Sequence, residues 1–145
     1  MHSESTKAIE RAKAGRANII SIRVYGRPAP QGSKRYLGAG RMIESSRYVV
    51  QWRQDVIASI MPAHRQHFNA PVQLSIVFFL RRPKKRKSGE WHGVRPDLSK
   101  LIRATEDALV DAGVLTDDCL ISVVSAAKIY HDAPGAHITV RLITE

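Results

Sequence analysis

Apolar and polar residues alternate through Ile20, Ile22 and Val24, with Ser21, Arg23 and Tyr25 between them, which is the two-residue period of a strand. The same period returns at Val72, Leu74, Ile76, Phe78 and Leu80. Between these stretches the period lengthens. Val49, Trp52, Val56, Ile57 and Ile60 fall on one face of a helix that Ser45 or Ser46 can cap and Pro62 ends. A second helix is predicted from Asp97, burying Leu98, Leu101, Ile102, Thr105, Ala108, Leu109 and Ala112, with Gly113 placed to close it. A short hairpin is predicted where Tyr36–Leu37 and Met42–Ile43 flank the sequence GAGR. Strands at about 121–130 and 137–143, joined by HDAPGA, finish the chain. The order strand, hairpin, helix, strand, helix, strand, strand predicts an α+β fold, a mixed β-sheet with two main helices packed on one face. Residues 1–17 read as a polar N-terminal tail and 18–145 as a single domain, without an internal repeat.

Composition narrows the class. Hydrophobic residues make up 43% of 145, enough for a core and too many for a disordered chain. No run approaches the roughly 18 apolar residues of a membrane span. The opening MHSESTKAIERAKAGRA has no apolar signal region, and the one cysteine excludes a disulfide framework or a cysteine-based zinc cluster. A cytoplasmic, reducing location is the expectation. The net charge of +10 points to a polyanionic partner, most often nucleic acid.

The distribution of that charge says more than its sum. Residues 1–60 carry a net +7 and residues 81–103 another +7, whereas 104–127 carry five acids and no base. A simple electrostatic clamp has no need of the acidic block; a site that holds a phosphate with a metal beside it does. The acids concentrate in RPDLSKLIRATEDALVDAGVLTDD. Asp97 can be a helix N-cap, and Asp117 and Asp118 can be turn residues. Alternatively the three are carboxylates of one site, provided the chain after Gly113 turns back along the helix. Ser99, Arg103 and Asp107 share one helical stripe. Arg103 either pairs with Asp107 or faces a phosphate held between the carboxylates. Carboxylates holding Mg²⁺, with a cation nearby, suit phosphodiester hydrolysis.

In this segment Arg95-Pro96-Asp97, Lys100-Leu101, Arg103-Ala104, Asp107-Ala108-Leu109 and Asp117-Asp118 stand in order. With the loop PAPQGSKR (28–35), the phrase around Glu44-Ser45-Ser46 and His92 ahead of the Pro-Asp pair, the chain resembles the RusA-type Holliday junction resolvases of phages and prophages over roughly residues 19–143. The resemblance implies a homodimeric, Mg²⁺-dependent endodeoxyribonuclease, with Mn²⁺ as a substitute metal. It would cut four-way DNA junctions symmetrically in the cytoplasm of a bacterium or a phage-infected host, with no membrane and no small-molecule cofactor. By position, Asp97 and Asp118 would bind the metal with Asp117 beside them, and Arg103 would replace the family's catalytic lysine. Arginine can stabilise a phosphate but hardly serves as a base. Ser99 stands where the family has a second Asp, with His92 and Asp107 as possible supporting residues. That substitution leaves an alternative, a branched-DNA binder of the same fold with weak or no cleavage.

For DNA contact the sequence offers the run Arg81, Arg82, Lys84, Lys85, Arg86 and Lys87, a second pair at Lys34 and Arg35, and Arg95 and Lys100 at the motif. Trp91 either stacks on an unpaired base or packs under its own loop. His92 is either near the scissile phosphate or a solvated loop histidine. Cys119 is expected to be a small buried residue at a strand start.

Overall fold

The computed structural model describes residues 18–32, 35–36, 42–43, 47–60 and 66–144. The elements are β1 (Ile19–Tyr25), β2 (Arg35–Tyr36), β3 (Met42–Ile43), α1 (Val49–Ile60), β4 (Val72–Arg81), α2 (Leu98–Asp111), a 3-10 turn (Asp118–Leu120), β5 (Ile121–His131) and β6 (Gly135–Leu142). β2 and β3 form a separate antiparallel pair. The predicted tail at 1–17, the proposed cap at Ser45 or Ser46, and Lys34 lie outside the described residues; for Arg35 only the backbone is described.

The main sheet runs β1-β6-β4-β5. β6 pairs antiparallel with both β1 and β4, while β5 lies parallel to β4 at the edge. The connection from β4 to β5 contains α2, the crossover that a parallel pair requires. The fold is therefore the expected α+β class, with a mixed sheet and two helices.

One face of the sheet is the core. Ile20, Ile22 and Val24, then Val140, Ile138 and Ala136, then Val72, Leu74, Ile76 and Phe78 lie side by side and are buried. Val49, Trp52, Val56 and Ile60 of α1, with Leu101, Ala104, Thr105, Ala108 and Leu109 of α2, complete that core. The Trp52 indole N–H donates to Thr105 Oγ1 (3.2 Å), whose hydroxyl donates to the Leu101 carbonyl (2.9 Å). This contact between the helices leaves no donor unmatched in the core there, and Arg53 of α1 pairs with Asp111 of α2 nearer the surface.

α2 ends as Gly113 predicts. Gly113 has φ +79, its N–H donates to the Val110 carbonyl (3.0 Å), and the Val114 N–H donates to the Leu109 carbonyl (3.0 Å). That is a Schellman closure, and it turns the chain back toward Leu115 and the acidic pair.

Candidate active site and nucleic-acid interface

Asp97 occupies the N-cap of α2 with extended backbone (φ −68, ψ 134), and its carbonyl accepts the Leu101 N–H (3.1 Å). Its side chain makes no capping hydrogen bond. The carboxylate is 58% exposed, with Lys100 Nζ 3.7 Å away. It is therefore open to a ligand, which a satisfied cap would not be. Pro30, Arg95, Pro96, Asp97 and Lys100 line a cleft of about 460 Å³. The Gln31 N–H donates to the Lys100 carbonyl (3.0 Å), which fastens the proline-glycine loop as one wall of that cleft.

The other acids are placed by the segment after Gly113. Phe68 N–H donates to the Val114 carbonyl (2.7 Å) and Thr116 N–H to the Phe68 carbonyl (3.2 Å). His67 spans Gly113 O and Thr116 Oγ1, both at 2.7 Å. Asp117 then accepts the Cys119 N–H (2.9 Å), so turn chemistry is part of its role. That hydrogen bond, before other causes, holds the Asp117 carboxyl below the usual range. Asp118 is pushed up, first by its hydrogen bond to Asp117, then by slight desolvation and the charges of Asp117 and Asp107; Arg103 opposes the shift. Glu106 is raised by burial and then by Asp118 and Asp107, again against Arg103.

Glu106 and Asp118 thus lie within electrostatic reach of Arg103, Asp107 acts on both, and Asp117 is hydrogen-bonded to Asp118. The chain does turn back along α2, to the level of Arg103 and Asp107. Asp97 sits at the helix entrance, six residues or about 9 Å along the axis from Arg103, beside Lys100, and its charge also acts on Lys128. Arg103 and Asp107 close no ion pair among the described residues, which leaves the exposed guanidinium to face a ligand. Ser99 is exposed on the same helix.

Four carboxylates against one guanidinium leave an excess of negative charge on hard oxygens, the donor chemistry that suits Mg²⁺. Among the described residues no three His, Cys, Asp or Glu side chains are placed to hold a metal by themselves. Mg²⁺ is commonly held by one or two carboxylates, with water and substrate phosphate completing the shell. The pair Asp117–Asp118 fits that mode.

Lys128 was not visible as a site residue in the sequence. Its Nζ donates to the Pro96 carbonyl (2.6 Å) and to the Val94 carbonyl, tying β5 to the segment that delivers Asp97. Burial lowers its pKa and the Asp97 charge raises it. The available signal was one lysine within the otherwise uncharged stretch ISVVSAAKIY, on the same side as Ala126 and Tyr130. Lys128→Met keeps the chain length and removes the charge and both bonds. It is expected to cost about 1–3 kcal/mol in urea unfolding and to slow any cleavage that depends on Asp97, with Lys128→Arg milder in both.

The basic run is partly committed to its own loop. Arg82 Nε donates to Asp132 (2.7 Å), and its guanidinium also donates to the Arg86 carbonyl (2.7 Å); Arg86 lies 4.0 Å from Glu90. Arg81, Lys84, Lys85 and Lys87 are exposed, as is Arg95. Past this run, residues 89–92 pair with the outer edge of β5. Gly89 N–H donates to Tyr130 O, Tyr130 N–H to Glu90 O, and His92 N–H to Lys128 O.

That pairing decides two side chains that the sequence left open, and the acidic turn decides a third, Cys119. His92 turns inward and is buried, its ring 4.7 Å from that of Tyr130. Burial, and then the Lys128 charge, pushes its pKa down; it is a packed residue and not a solvated loop histidine. Trp91 turns outward and does not pack under its loop. Cys119 is exposed in the 3-10 turn, ahead of the strand, because Asp117 bonds its backbone there; its thiol pKa is raised, chiefly by the hydrogen bond to Asp117.

The family model for endodeoxyribonuclease RusA matches residues 25–141. This chain belongs to the RusA endodeoxyribonuclease family. The match takes in the cleft, α2, the acidic turn, β4, β5 and β6 as far as Arg141, and only Tyr25 of β1. No curated protein matches the chain. Membership makes the chain an endonuclease that hydrolyses DNA and indicates Holliday junction resolution, with branched DNA as substrate. RusA nucleases are generally metal-dependent. No helix among the described residues is long and apolar enough to cross a membrane.

Proposed function

We propose that residues 18–145 act as one nuclease domain that cuts four-way DNA junctions with Mg²⁺, or Mn²⁺ in its place, as a homodimer in the cytoplasm. The observation that carries this reading is the set of mutually repelling acids beside Arg103, on the same helix that Asp97 opens at a cation-lined cleft. Asp97, Asp118 and Asp117 would supply the carboxylates that hold the ion. Bound there, it would polarise the scissile phosphate and lower the pKa of the attacking water. Arg103 cannot give up its proton, so it neutralises charge on the phosphate oxygens and does not act as a base. Asp107 and Glu106 add negative charge near the ion, and Ser99 lies on the exposed stripe with Arg103. Arg95 and Lys100 hold the strand at the cleft. The dimer follows from the substrate: a junction has approximate two-fold symmetry, and a C2 pair presents two identical sites to it.

A synthetic four-way junction mixed with the purified protein and Mg²⁺ or Mn²⁺ tests the reading; paired nicks support it. Tight binding with no nicks at any metal concentration would instead establish the branched-DNA binder, which Ser99 and the lack of a three-ligand cluster among the described residues favour.

The exposed lysines make a separate expectation. Replacing Lys84, Lys85 and Lys87 with Gln should weaken binding to junction and linear duplex alike. The log–log salt slope should flatten by about 2–3, at roughly 0.9 per lost phosphate contact. An unchanged slope in a fluorescence-anisotropy titration would remove these residues from the DNA contact.

A further inference from the structure

The face of the sheet opposite the helices has no described element packed over it, and it has its own chemistry. The alternate residues of all four strands point there, with Arg23, Arg81, Arg141, His131 and His137 among them and Val123 exposed at the β5 edge. These residues include three arginines and two histidines and no carboxylate.

The strand register sets the larger groups in one line. Tyr25 pairs with Gly135, Gly135 with Phe79, Phe79 with Ile129, and Ile129 with Trp91. Paired residues share a face, so Tyr25, Phe79, Ile129 and Trp91 cross the sheet as a row. Gly135 makes room in it: with φ +150, a Cβ there would lie 1.9 Å from the Val24 carbonyl and 2.4 Å from the Arg23 guanidinium. Arg23 fills that space, 4.3 Å from the Tyr25 ring and 4.4 Å from the Phe79 ring, and donates to the Ala133 carbonyl (2.6 Å). The Phe79 ring in turn lies 4.7 Å from His131. The interior of the row is packed, while its ends are bare: Tyr25 is 68% exposed and Trp91 78%. Four strand spacings of about 4.8 Å put the two ends roughly 19 Å apart.

We propose that this helix-free face is a second DNA-binding surface, one that takes an unpaired strand, with Tyr25 and Trp91 stacking on its bases and Arg81, two residues from Phe79 in the row, holding its phosphates. Exposed aromatic rings among cations, with no acid on the face, are what sequence-tolerant single-strand binding uses. An apolar protein partner would not need the arginines, and a duplex offers no free base to the rings. The assignment rests on the reading of the chain as a branched-DNA nuclease, since opened junctions and gapped arms are where such a strand occurs. It does not use the acids of α2.

The experiment is a titration of the whole protein, without divalent metal, using oligo-dT, linear duplex and a four-way junction with a single-stranded gap in one arm. Trp52 is fully buried and Trp91 exposed, so the accessible emission reports on Trp91. Quenching by oligo-dT and by the gapped junction is expected. Tyr25→Ala and Trp91→Ala should each weaken oligo-dT binding about tenfold and leave linear duplex binding within about twofold. Trp91→Phe should retain most of it. Both alanine variants remove exposed groups, and an unchanged thermal midpoint confirms that they fold. Oligo-dT affinity equal to wild type in both variants, read by the anisotropy of labelled DNA, would overturn the proposal. So would an emission shift that follows protein concentration without DNA, which would place a second copy on this face. Lack of cleavage in the metal-containing assay would count against the nuclease reading and leave this result standing.

Discussion

Asp97→Asn is expected to lower junction cleavage about 10²-fold or more, with binding of the intact junction kept or slightly tightened. The substitution keeps size and shape and removes one charge. Because the Asp97 side chain makes no capping bond, the helix loses little. The defect should therefore appear in turnover and not in the unfolding curve. Binding does not suffer, because a negative group beside Arg95 and Lys100 repels the phosphate that those two attract. Asp118→Asn should share the phenotype. Ser99→Asp should move the other way and raise cleavage, by returning an acid to the exposed stripe of α2. Gel-shift and nicking assays on one labelled junction decide all three. Wild-type cleavage by Asp97→Asn would remove the metal role from that residue. A Ser99→Asp protein slower than wild type would show that the roles along α2 are misassigned.

The largest expected loss of stability is at Trp52. Its ring is fully buried, tilted against Phe78 at 6.5 Å between centroids, and its N–H reaches across to Thr105 on the other helix. Trp52→Ala removes that packing and opens a cavity where α1, α2 and β4 meet, at a cost of about 3–5 kcal/mol. For a domain with the usual 5–15 kcal/mol of stability, that is much of the total. Urea unfolding should show the midpoint fall, with the slope little changed. Trp52→Phe keeps most of the volume and should lose less. Equal losses for the two would mean that the cost lies in the bond to Thr105 and not in the packing.

The sequence was most legible where one side of an element is buried and the other wet. β1, β4, α1 and α2 all have that character, and their apolar period is clean. β5 does not. Its residues Ser122–Ser125 are exposed on consecutive positions, and nothing in ISVVSAA says so. Strand order was also hidden, because β6 enters between β1 and β4 for reasons of packing and not of local pattern. The acidic residues could be named from their spacing and from family likeness. Their meeting points depended on how far the chain returns along α2, a tertiary matter fixed by His67, Phe68 and Thr116. Trp91 and His92 were undecided because their directions are set by pairing with residues some forty positions away. Lys128 was overlooked because a single lysine in a strand looks like a solvent-facing one.

The cation-bearing loop has both ends fastened, one at Arg82 through Asp132 and the other at Gly89 through Tyr130. Only Pro83–Ser88 lies between those anchors, so even fully stretched it reaches about 10 Å from the sheet. A duplex must come to these lysines, because they cannot swing out to fetch it. Little chain entropy is then lost on association, and lengthening the loop should erode that advantage only slowly, with the logarithm of its length.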